Sequence, residues 1–117
     1  MQFVFDGTYH QAIRITGPKH NLLGLCLGNG QAVIITRLPP QAGQAERIDE
    51  QAVLAQVTAG LSEINHQLGT FYTLSAIRFL ATDTPCTYSY KELTRKIIAR
   101  LHNRQAFLEI PPPAQTT

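Results

Sequence analysis

The sequence predicts a single α+β domain: an antiparallel β-meander of three to four strands, then helix, central strand, helix and a short edge strand. Three observations carry this prediction. Residues 1–38 form short apolar or alternating runs broken by Asp6-Gly7, Gly17-Pro18 and Gly28-Asn29-Gly30, which is the signature of strands joined by tight turns. Residues 50–68 space Leu54, Val57, Leu61, Ile64 and Leu68 by three and four, the apolar stripe of a helix lying on a sheet. Residues 71–104 then join an apolar run to a polar turn and an amphipathic basic segment.

The elements follow in order. Met1 to Phe5 is a first strand, ended by the turn dipeptide Asp6-Gly7. Tyr9 to Thr16 alternates, with Tyr9, Gln11, Ile13 and Ile15 on one side, as a half-exposed strand does. Gly17-Pro18 breaks it, because proline lacks a ladder donor. Leu22 to Leu27 is apolar on both faces and reads as a covered strand. Gly28-Asn29-Gly30 is the strongest hairpin signal in the chain, and it predicts that Gln31 to Leu38 returns as the next strand of the meander.

Pro39-Pro40 and the loop QAGQAER lead to a helix over Glu50 to Leu68, with Asp49 as N-cap, Ile48 and Val53 as a hydrophobic staple and Gly69 as the stop. Leu74 to Ala81 has only Ser75 and Arg78 polar and predicts a central strand reached by a parallel crossover. Thr87 or Ser89 is expected to cap the last helix, whose buried side is Tyr90, Leu93, Ile97 and Leu101, with Glu92 paired to Lys96. Ala106 to Ile110 is a short final edge strand. Pro111-Pro112-Pro113 opens a flexible tail over 111–117, so the domain is expected over 1–110.

Composition narrows the function classes. With 117 residues, 44% hydrophobic and 15% charged, the chain is long enough for one core and has the balance of a compact protein. The net charge of +2 is too small to imply a polyanionic partner. Up to Tyr90 there are five basic and six acidic residues, and from Lys91 onward five and two, so the excess lies in the last helix. Cys26 and Cys86 lack metal-ligand or CxxC spacing and are expected as reduced thiols in a reducing compartment. The N-terminal stretch lacks a signal-peptide pattern and no apolar run reaches membrane-span length, so a cytoplasmic location without membrane contact is expected.

Candidate site residues fall at element ends. Asp6 closes the first strand, Glu50 opens the first helix and Asp83 closes the long strand. Three convergent carboxylates are what a pair of hard divalent cations needs. In Phe5-Asp6-Gly7-Thr8, Glu50 and Thr82-Asp83-Thr84 the order of elements resembles the ribonuclease-H-like superfamily. The resemblance implies a metal-dependent nuclease with Asp6, Glu50 and Asp83 as ligands, and Glu109 as the residue available for a fourth. The local reading makes Asp6-Gly7 a turn, Asp49-Glu50 a helix start and Asp83 part of a proline turn.

Lys91, Arg95, Lys96, Arg100 and Arg104 form a basic face that would suit nucleic-acid phosphates, with Tyr88 and Tyr90 as stacking partners; an ordinary solvated helix end explains the same pattern. Cys86, just ahead of a helix N-terminus, is the thiol placed best for reactivity. His10, His20, His66 and His102 share no ligand spacing, and Gly24 to Gly30 lacks the lysine and helix of a phosphate loop. No cofactor is implied. The reading favoured by the sequence is a small non-catalytic binding or protein-interaction module that self-associates as a dimer, because two helices cover only one face of a sheet whose strands are apolar on both.

Overall fold

The computed structural model describes residues 1–17, 19–29, 32–38 and 47–111. Pro18, Gly30, Gln31, the Pro39-Pro40 loop up to residue 46 and the tail from residue 112 lie outside the described residues. The strands are β1 (Gln2–Phe5), β2 (His10–Thr16), β3 (Lys19–Leu27), β4 (Ile34–Leu38), β5 (Leu74–Leu80) and β6 (Leu108–Glu109). The helices are α1 (Glu50–Leu68) and α2 (Ser89–His102). The order is the one expected from sequence, and the fold is α+β with a mixed six-stranded sheet, β4-β5-β3-β2-β1-β6.

β1, β2 and β3 form the antiparallel meander, with Phe3 opposite Ala12 and Ala12 opposite Leu23. The expected fourth meander strand behaves differently. β4 does not pair with β3; α1 carries the chain across so that β5 inserts between them, antiparallel to β3 and parallel to β4. β5 is thus flanked on both sides, in keeping with its apolar sequence. β6 adds a parallel two-residue ladder beyond β1.

α1 runs over the residues its caps specify. The Asp49 carboxylate accepts from the Gln51 amide at 3.2 Å, and Gly69 adopts φ 67° while its N–H bonds the Asn65 carbonyl. The buried stripe is Val53, Val57, Gly60 and Ile64; of the expected line Val57 and Ile64 lie at its centre, while Leu54, Leu61 and Leu68 pack at the rim of the core. The place of Gly60 in the stripe follows from α2. A Cβ on Gly60 would stand 2.5 Å from the Lys91 carbonyl oxygen, so the glycine is where the two helix backbones approach.

Register assigns the two faces of the sheet. Leu23, Leu25, Ile77, Phe79 and Ala12 share one face, and they form one core cluster with Val53, Val57, Ile64, Tyr90, Leu93, Ile97 and Ile98 of the helices. Arg14 on that face pairs with Glu92 of α2 at 2.9 Å, in place of the expected Glu92–Lys96 pair. Both helices therefore lie on the same side. Among the described residues no helix lies on the other face.

Candidate functional site

Two polar constellations break the apolar pattern, one on each side of β5. The first crosses the helix-free face. Register sets Val4, Gln11, Gly24, Arg78 and Thr36 in one row across β1, β2, β3, β5 and β4. Arg78 Nη2 donates to Asp6 Oδ2 at 2.8 Å and to Gln11 Oε1 at 2.9 Å. The Tyr9 ring covers the guanidinium at 4.1 Å and fits because position 24 is glycine; a Cβ there would be 3.2 Å from the ring. The Asp6 turn is closed by its own carboxylate, which accepts from the Thr8 and Tyr9 amides at 3.0 and 2.8 Å. Burial opposes ionisation of Asp6, but the Tyr9 amide, the Arg78 side chain and the Thr8 amide outweigh it, holding its pKa below the usual value.

The second constellation is the turn after β5. Asp83 is fully buried. Its Oδ2 accepts from the Tyr90 hydroxyl at 2.7 Å and from the Leu22 amide at 2.8 Å. Its Oδ1 has no hydrogen-bond partner, and His20 Nε2 stands 3.8 Å away. Burial pushes the Asp83 carboxyl up to about 6, against the pull of Tyr90, Leu22, His20 and Arg47. Burial and the adjacent carboxylate push Tyr90 well above its ordinary value. Around this acid the turn is sewn to β3: Thr84 N–H donates to the His20 carbonyl at 3.0 Å, His20 N–H to Thr84 Oγ1 at 3.1 Å, and Asn21 Nδ2 to the Thr84 carbonyl at 2.9 Å. α2 begins without a side-chain cap of its own. Gln56 of α1 supplies one, accepting from the Tyr90 amide and donating to the Cys86 carbonyl, both at 3.0 Å.

The three carboxylates of the expected metal site do not come together. β1 and β5 run antiparallel with β2 and β3 between them, so Asp6 and Asp83, each following its strand, leave from opposite ends of the sheet. Three strand spacings, roughly 14 Å, separate the two strands. Asp6 is bound to Arg78 and Glu50 lies in the first turn of α1. Among the described residues no group of three or more His, Cys, Asp or Glu side chains is arranged to hold a metal ion.

The basic face of α2 is partly engaged within the protein. Lys91 pairs with Glu63, Arg95 bonds Gln67 at 3.3 Å, and Arg100 donates to the Ala106 carbonyl at 2.7 Å while stacking over Phe3 at 4.5 Å. Tyr90, the expected stacking partner, is buried against Asp83, and Tyr88 is exposed. Arg104 occupies the left-handed region at φ 55° just past the helix end. The Cys86 thiol has amides for neighbours, Gln56 Oε1 at 3.8 Å and Asn21 Nδ2 at 3.9 Å.

On the helix-free face the polar row is self-contained, and apolar residues flank it. Ile13, Leu22, Leu80 and Leu38 lie on one side; Cys26, Ala76 and Ile34 lie on the other. Ile15 is 71% exposed and Ile34 67%. Sequence reasoning placed apolar residues on both sides of these strands but missed the Arg78–Asp6–Gln11 bridge. The signal for it was Arg78, the one charge in an otherwise apolar central strand. Comparison with known proteins finds no matching family, no matching curated protein and no matching solved structure.

Proposed function

We propose that this protein is a non-catalytic interaction module that works by self-association, with the helix-free face of its sheet packed against that of a second copy. The observation that carries the reading is the placement of both helices on one face, which leaves Ile15 and Ile34 exposed on the other. Ile15 continues the apolar row of half-buried Ile13, Leu22, Leu80 and Leu38 on this face, and a contiguous apolar row favours burial against another surface.

The chemistry of the face favours a second copy as occupant. Its buried charges, Asp6 and Arg78, neutralise one another, so among the described residues the face offers apolar rows around a compensated ion pair, with little for an oppositely charged partner to match. A two-fold axis lying in the interface, parallel to the two sheets, sets such rows against themselves, as an isologous interface requires. Free thiols at Cys26 and Cys86 support a reducing compartment such as the cytoplasm. No helix among the described residues is long and apolar enough to cross a membrane.

The test is the mass of the protein in solution by light scattering, together with Ile15→Lys and Ile34→Lys. Burying one isoleucine contributes about 1.5–3 kcal/mol. Each variant carries its change in both subunits and is therefore expected to weaken the dimer by about a hundredfold or more while leaving the helix-side core untouched. A dimer indifferent to both substitutions would show that another surface is used.

A further inference from the structure

Asp83 stands where three elements meet. β5 has ended, β3 continues beside it, and α2 begins below. Tyr90 reaches it from the helix side, and His20 reaches it from the helix-free side, where its cross-strand neighbour is the exposed Ile15. Arg47, ahead of α1, bears on it through its charge, and Cys86 in the same turn bears on Tyr90.

Packing does not require an acid here. An asparagine at position 83 would accept from Tyr90 and Leu22 with its oxygen and would turn its amide toward His20 Nε2. What the carboxyl adds is a proton that can leave. When it leaves, a buried charge remains with one oxygen unpartnered, and such a charge favours any opening that lets water in. The bonds within reach of that opening join Thr84 to His20 and Asn21.

We propose that Asp83 and His20 form a proton-operated latch, which holds the Thr84 turn against β3 when Asp83 is protonated and loosens it when Asp83 ionises. The latch acts at the end of the β2–β3 hairpin that carries Ile15, so its consequence for self-association rests on the interface proposed above. The latch itself is local and is read without reference to that interface.

The experiment is amide hydrogen exchange by NMR at Leu22 and Thr84, at about pH 5 and about pH 7.5, corrected for the intrinsic pH dependence of exchange. In the wild type, protection is expected to fall about tenfold across that range, since the carboxyl, ordinarily 3.8, sits at about 6 in the closed state. In Asp83→Asn the fall is expected to vanish. In His20→Gln it is expected to persist with a higher midpoint, because the histidine's charge pulls the Asp83 value down. Equal wild-type protection at both pH values overturns the latch, as does a fall that survives in Asp83→Asn. Should Asp83→Asn not fold, an unmoved midpoint in His20→Gln removes His20 from the device and overturns the proposal. A monomeric wild type with a working latch overturns only the interface, so the two failures are distinct.

Discussion

Asp83 and Asp6 are both buried acids, yet their surroundings send them in opposite directions, and their effects on stability differ in sign. Asp83 takes up a proton more readily folded than unfolded, so its ionisation costs stability. That cost is absent below about pH 3.8, grows as pH rises to about 6 and is constant above. Asp83→Asn is expected to match the wild type near pH 4 and to exceed it by about 2–3 kcal/mol at pH 7, as read by urea unfolding at both pH values; equal stabilities at neutral pH would contradict this account of the buried carboxyl. Asp6 has the opposite sign. Its lowered value contributes stability above pH 3.8 that is lost as pH falls toward the folded-state value. Asp6→Ala leaves Arg78 nearly buried with Gln11 as its remaining side-chain acceptor, and is expected to cost about 3 kcal/mol in the same assay. A loss under about 1 kcal/mol would mean that the bridge is as weak as an exposed pair.

At the scale of elements, local signals were enough wherever the determinant was local. α1 was legible to the residue because Asp49 and Gly69 mark its ends by their own chemistry. The three-strand meander was legible from alternation and turn residues. The position of β4 was not. Gly28-Asn29-Gly30 announces a hairpin, but the partner of β4 is decided by β5, which arrives 36 residues later, from Leu38 to Leu74, and takes the place beside β3. The start of α2 was also hidden, since its cap is Gln56 from another helix. Gly60 was visible as a glycine inside a helical pattern, a sign of close approach that its neighbours alone could not interpret. Gly60→Ala tests that role. Alanine should favour the isolated helix by about 1 kcal/mol, yet the clash with the Lys91 carbonyl is expected to make the protein less stable by about 1–3 kcal/mol in thermal or urea unfolding. A stabilised variant would show that the helices slide apart without loss.

The described residues form two layers, a sheet with both helices on one face and the Arg78–Asp6–Gln11 row across the other. Of the candidate sites, the carboxylate trio dissolves at this scale because strand order and direction, which no single segment reveals, send Asp6 and Asp83 to opposite ends. The Asp83 turn persists because its contacts converge from β3, α1 and α2. A sheet face without a helix was foreseeable from apolar strands and two helices, and its polar strip was not. Light scattering against concentration tests the central claim most directly. The wild type is expected to double its mass as concentration rises into the micromolar range, and Ile15→Lys to remain at the monomer mass over that range. A wild type that stays monomeric at high micromolar concentration would contradict self-association as its function.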